Sequence, residues 1–245
     1  MATEAEIAAD CTLNGALVLA REQNVVVSYA PFDHVNRSAK LVIVGITPGR
    51  RQAVDALTVF RAALLAGNRV EEANQAAKAH ASFSGSMRSN LVRMFDHVGI
   101  QRYLEIGSCG SLFADRSDLV HYTSALRYPV FVGDQNYSGQ PRIENISALL
   151  KLIGNCLAEE ARSIGSALWV PLGPIPLAAL NMIAALGLLD SRQILAGFPH
   201  PSGANAERIA YFLNLKDKNL LSKTTRPEKI DQARTVLLSR ISELR

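Results

Sequence analysis

The sequence predicts an α/β fold in which a largely parallel sheet is covered by helices on both faces. Short apolar runs ending in Gly or Pro turns alternate with longer segments whose apolar residues recur every three or four positions, the pattern of strands crossing over through helices. With 245 residues, 48% of them hydrophobic, the chain can bury a full core, and a single domain over 1–245 is expected.

Residues 3–22 carry Ala5, Ala9, Leu13, Ala16, Leu17 and Ala20 at helical spacing and read as an amphipathic helix outside the sheet, with Gly15 in its middle. Residues 24–29 are β-rich and suit either a short edge strand or an extended connector. Residues 41–46 form an apolar strand that stops at a Gly/Pro turn, and 50–66 place Val54, Leu57, Val59, Phe60 and Leu64 near one face before a helix stop at Gly67-Asn68. An alanine-rich helix is expected over 71–81. The break at 82–86 holds Phe83 among small polar residues, where the ring either plugs the core or walls a pocket for a flat ligand.

Ser86 or Ser89 is expected to cap the next helix, whose Leu91, Met94, Phe95 and Val98 face inward before Gly99, with Arg88 and Arg93 on the other side. A short strand follows at 103–106, then a Gly/Ser loop at 107–111 whose lone Gly-x-x-Gly is weak evidence of phosphate binding. The pattern continues with a strand at 118–126, a polar loop at 132–143 long enough to be functional or mobile, and a helix at 146–164. A strand at 167–171, a helix at 178–188 and a strand at 193–196 complete the alternation. Thr225-Arg226-Pro227-Glu228 reads as a capping box opening a last helix, with Ile230, Ala233, Leu237, Ile241 and Leu244 facing inward.

Composition narrows the function classes. Every apolar run is too short to span a membrane and no basic-then-apolar leader is visible, so a cytoplasmic protein is expected, nucleoid-associated if bacterial. The three scattered cysteines and five histidines lack disulfide or metal-ligand spacing, so neither a metal nor another cofactor is expected. Residues 215–245 hold eight Lys/Arg against four Asp/Glu, which accounts for the whole net charge of +4. Such a segment suits either a phosphate backbone or a solvated helix face of mixed charge.

Two strand-loop-helix junctions carry the chemistry. His200 stands between Pro199 and Pro201, which stiffen its loop and give the imidazole a defined direction. Gly45-Ile46-Thr47-Pro48-Gly49 closes the strand at 41–46 in the same manner. Ligands of open α/β sheets bind beyond the carboxyl ends of the strands, where such loops converge.

Together these stretches resemble the uracil-DNA glycosylase superfamily over residues 40–213. The likeness rests on Gly45-Ile46-Thr47-Pro48-Gly49 for the family's Gly-x-x-Pro-Gly motif, His200-Pro201-Ser202 for its His-Pro-Ser motif, and Phe83-Ser84-Gly85 for the loop that brings a base-stacking Phe. Tyr122-Thr123-Ser124 resembles the strand that bears a uracil-reading Asn, with Ser124 at the Asn position. The resemblance implies a three-layer α/β/α sandwich around a four-stranded, mainly parallel sheet. It also implies a monomeric enzyme that flips uracil and other damaged bases out of DNA and hydrolyses the bond to deoxyribose.

In this reading His200 donates to the base as negative charge gathers there, and Thr47 holds the attacking water. Phe83 stacks on the base, and Gly45, Ile46, Gly49 and Ser124 complete its pocket. Pro48, Ser86, Arg88, Ser202, Gly203, Asn205 and Arg208 follow the DNA backbone, with the amides at the helix start after Ser202 holding a phosphate. The chain departs from the family in several ways. The positions that usually carry Asp, Asn or Glu to orient water hold Ile46 and Thr47, and a Thr hydroxyl is no strong base, leaving Asp134 or Asn136 of the polar loop as substitutes. Ser124 lacks the Asn amide, which implies broader base tolerance. No large wedge residue follows His-Pro-Ser, so Asn205 or Arg208 fills the gap left by the flipped base, and the cysteine ligands of the iron-sulfur branch are absent. Two rival readings are a catalytically weakened binder of damaged or abasic DNA and a small nucleoside or nucleotide hydrolase.

Overall fold

A computed structural model describes Thr3, Ala5, Glu6, Ala9, residues 15–83 and residues 85–244. Its centre is a parallel sheet in which β3 (Leu41–Gly45) lies between β4 (Val120–Ser124) and β7 (Leu168–Pro171). Strand β3 is buried along its whole length, as its uninterrupted apolar sequence requires of a strand covered on both faces.

Alternate residues of the sheet feed two cores. Val42, Val44 and Trp169 pack with Leu149, Ile153 and Leu157 of the helical stretch 147–163, and with Leu180 and Ile183 of helix Pro174–Ala185. Leu41, Ile43 and Val170 pack against helices Ser86–Val98, Ala206–Phe212 and Pro227–Ser242 through Phe95, Phe212, Leu237 and Ile241. The expected α/β layering is present, but the sheet has three strands rather than four. At the fourth position only Ile194 bridges Trp169, with Leu195 N–H donating to the Trp169 carbonyl at 2.8 Å. A 3-10 turn, Ser191–Gln193, immediately precedes this bridge. Gly197 at φ 123° turns the chain away after it, and Pro199 has no N–H to extend the ladder.

A second, antiparallel sheet lies beside the first in the order β1 (Val18–Glu22), β2 (Val25–Ser28), β5 (Val130–Val132) and β6 (Gln135–Asn136). The helix expected over 3–22 is therefore corrected at its end: 18–22 is a strand turning into β2 through Gln23-Asn24, while most of 1–14 lies outside the described residues. Leu17 and Ala20 satisfy a helical spacing, but cross-strand pairing with β2 decides the conformation. Within 24–29, Val25–Ser28 is a fully buried inner strand rather than an edge, and the polar loop at 132–143 begins as the β5–β6 hairpin.

Helices α1 (Arg50–Leu65) and α2 (Val70–Ala81) pack on this second sheet, with Ala53, Ala56, Ala77 and Ala81 against Phe32 and Phe131. Helix α3 (Ser86–Val98) ends on left-handed Gly99 as expected, but neither Ser86 nor Ser89 caps it: Gly85 occupies the N-cap at φ 67°. The expected strand at 103–106 is instead the end of the one-turn helix α4 (Ile100–Tyr103), because Leu104 and Ile106 amides bond back to Ile100 and Gln101 carbonyls. The Thr225 capping box does not form. Thr225 Oγ1 donates to Glu207 at 2.5 Å, Glu228 pairs with Lys218, and Leu244 is exposed rather than inward. No helix among the described residues is long and apolar enough to cross a membrane.

Candidate functional site

A cavity of about 230 Å³ opens at the carboxyl ends of β3 and β4. Gly45, Ile46, Thr47, Pro48, Gly49, Phe83, Ser124 and His200 all line it, so residues spread over more than 150 positions of sequence meet around one space. Parallel pairing explains much of this, since Gly45 stands in register with Ser124 and the two loops leave the sheet side by side. A Cβ on Gly45 would lie 3.3 Å from Ser124 Oγ and 3.7 Å from Phe83 Cζ, so glycine lets the ring and the hydroxyl approach. Phe83 adopts φ 48°, a conformation unfavourable for an aromatic residue and compatible with a strained site. Its ring lies 6.1 Å from that of Tyr122 and is half-buried, so it packs on the core and walls the cavity at once.

His200 is held from two sides. Asn90 Nδ2 donates to the Pro201 carbonyl at 2.9 Å, and Ser202 N–H donates to His200 Nδ1 at 3.3 Å. An accepting Nδ1 puts the proton of the neutral ring on Nε2. Burial lowers the His200 pKa from its ordinary value, so the ring is a neutral donor at neutral pH.

Thr47 is bound more tightly than a water holder requires. Its hydroxyl donates to the Tyr128 carbonyl at 2.9 Å and accepts from Val130 N–H at 3.1 Å, tying the loop to the second sheet. Asn136, one of the two suggested substitutes, lines the cavity and accepts from Arg50 N–H at 2.9 Å. Asp134 does not line it, and its carbonyl accepts from Arg50 Nη2. Among the described residues no carboxylate lines the cavity, and no group of three or more His, Cys, Asp or Glu could hold a metal ion.

The residues expected on the DNA backbone diverge. Pro48 lines the cavity, whereas Ser86, Gly203 and Arg208 are exposed outside its lining. Arg88 points inward: Nη2 donates to the Ser82 carbonyl at 3.2 Å and the guanidinium lies 4.8 Å from the Phe113 ring centroid, bracing the Phe83 turn. Ser202 Oγ accepts from Asn205, which in turn accepts from Arg208.

No family model and no solved structure matches the chain. The uncharacterized protein YoxB of Bacillus subtilis is 36% identical to it over 203 residues, 82% of this chain and 79% of that protein. The chain belongs to the YoxB family.

In this YoxB-family chain a buried polar group beside the cavity escaped the sequence reading. Lys78, Thr123 and Arg127 line the cavity, and Glu160 and His121 lie behind them, all five nearly or wholly buried. Arg127 Nε donates to Glu160 Oε1 at 3.0 Å, and Arg127 Nη2 reaches the Cys156 carbonyl within a π-helical turn, Ile153–Leu157. Lys78 Nζ donates to the His34 carbonyl at 2.6 Å. Burial brings the Lys78 pKa down to about 8 against the pull of Glu160. Burial, reinforced by Lys78, also lowers His121 to about 4, so this ring is neutral, and its Nε2, 3.5 Å from Glu160 Oε2, forms neither an ion pair nor a hydrogen bond with it. Burial opposes ionisation of Glu160, but His121, Lys78 and Arg127 outweigh it and hold the carboxyl near 2. The readable signal was a Lys and a Glu on otherwise apolar helix faces, Lys78 beside Ala77 and Ala81, and Glu160 beside Leu157 and Ala161.

Proposed function

We propose that this chain is a monofunctional DNA glycosylase that hydrolyses the N-glycosidic bond of uracil, and of other damaged bases, after flipping them from DNA. The observation that carries this reading is the convergence of Phe83, Ser124, the Gly45–Gly49 loop and a neutral His200 on one small cavity. At about 230 Å³ the space is below the roughly 300 Å³ at which sites for drug-sized ligands begin, a size suited to one flat base.

The flipped base stacks on Phe83. As the bond to C1′ breaks, its electron pair moves onto the base, and His200 Nε2–H donates to the oxygen that gathers this charge. The sugar, left with oxocarbenium character, takes up water at C1′, and the proton that this water sheds neutralises the departing base anion. With no carboxylate among the described residues of the lining, water is oriented rather than deprotonated before bond cleavage, and Asn136 is the group we assign to this. Thr47 braces the loop through its two backbone bonds. Exposed Arg208 and the loop after His200 meet the DNA backbone.

The missing carboxylate also favours a second reading, a binder of damaged or abasic DNA with weakened catalysis. Single-turnover assays on oligonucleotides carrying one uracil, single-stranded or opposite G or A, separate the two. Alkali-sensitive breaks establish the glycosylase; tight, salt-sensitive binding without breaks establishes the binder. Absence of both breaks and binding would refute both readings.

A further inference from the structure

The glycosylase reading leaves one side of the cavity without a task. Lys78 and Thr123 line it, with 3% and 7% of their surface exposed. Thr123 Oγ1 is fully buried and finds no hydrogen-bond partner in the protein, a condition that native structures rarely tolerate without a reason. The Lys78 ammonium carries three hydrogens and gives one to the His34 carbonyl, which leaves two. Arg127, also on this side, is committed to Glu160 and the Cys156 carbonyl. This wall therefore holds a lysine with two ammonium hydrogens still to be placed and a threonine whose hydroxyl has no partner in the protein.

We infer that Lys78 and Thr123 form the base-reading floor of the pocket, taking over from the amide that Ser124 lacks, and that they select bases presenting a keto oxygen there. The inference rests on the proposed function, because it needs a flipped base in this cavity. Lys78 donates to the keto oxygen, and Thr123 accepts from the neighbouring ring N–H of uracil or hypoxanthine. Cytosine and adenine present an amine at the same edge, which would set donor against donor and leave a buried ammonium unpaired. The rotatable Thr123 hydroxyl adapts to either ring and Lys78 does not, so Lys78 discriminates and Thr123 strengthens binding. The tolerance expected from Ser124 then extends across keto-edged bases and ends at amino-edged ones.

The test measures affinity for oligonucleotides carrying one uncleavable 2′-fluoro-deoxyuridine or 2′-fluoro-deoxycytidine, alongside cleavage of the uracil strand. Wild type should prefer the uracil strand by about tenfold or more, and Lys78→Met should abolish that preference, the scale of a hydrogen bond to a charged group. Thr123→Val should weaken binding of the uracil strand about tenfold, with Thr123→Ser restoring it. A merely structural role for Lys78 would lower both affinities alike. Absence of a preference in wild type, or its persistence in a folded Lys78→Met protein, overturns the inference. If Lys78→Met does not fold, unchanged binding by Thr123→Val overturns it instead. A wild type that shows the preference but cuts no strand supports the floor and removes only the catalytic half of the proposed function.

Discussion

Replacing His200 by Asn separates its two hydrogen bonds. The imidazole Nδ1 accepts from Ser202 N–H at 3.3 Å, and its Nε2 proton is the donor assigned to the leaving base. An Asn amide oxygen stands near the Nδ1 position and can keep the Ser202 bond, but its side chain is too short to supply the Nε2 donor. The loop itself remains anchored through Asn90 and the Pro201 carbonyl. Removing one preorganised donor to a developing anion costs about 2.7–4 kcal/mol, so single-turnover uracil excision should fall about 100- to 1000-fold. His200→Gln, whose amide nitrogen stands near Nε2, should recover part of the loss. Rapid-quench measurement with saturating enzyme reads the chemical step without product release. A His200→Asn rate within threefold of wild type, with unchanged unfolding, would refute the assignment of His200 as the donor.

Phe83→Ala removes the stacking wall; at about 1–3 kcal/mol per stacked base, affinity for a uracil-containing single strand should fall about tenfold or more, as read by fluorescence anisotropy. Thr47→Val leaves the Tyr128 carbonyl and the Val130 amide unpaired and should lower stability by about 1–3 kcal/mol in urea unfolding; Thr47→Ser, which keeps the hydroxyl, should restore both stability and excision rate. Acid should weaken the fold through His121. The unfolded chain takes up a proton near 6.5 and the native one only near 4, so this contribution is complete above pH 6.5 and about 3 kcal/mol is lost as pH falls through that window. Urea unfolding at pH 7 and pH 4.5 should show the loss and His121→Asn should reduce it; equal pH dependence in both proteins would exclude His121 as the cause.

The sequence by itself determined the alternation of strands and helices, whereas the central strand order, in which Gly45 and Ser124 end side by side, is set by the tertiary structure. Among the cavity-lining residues, Gly45 to Gly49, Phe83 and His200 stand at local signatures, namely a strand stop, an aromatic ring in a loop of small residues and a Pro-flanked His, while Ser124 was reached only through the family resemblance and Asn136 through the polar loop. Local pattern misled where distant pairing decides conformation. Val18–Glu22 satisfies a helical spacing, yet lies as a strand because β2 offers it a ladder, and the fourth parallel strand contracts to Ile194 because the turns on either side leave no room for more. Only the tertiary structure shows that Thr47 is already bonded to the second sheet and that Arg88 turns inward beneath Phe83. It alone gathers Lys78, Thr123, Arg127, His121 and Glu160, which come from two separate helices, strand β4 and the loop that follows it. A buried charge is stable only beside partners that neutralise or bond it, and those partners are fixed by packing between elements rather than by spacing along the chain.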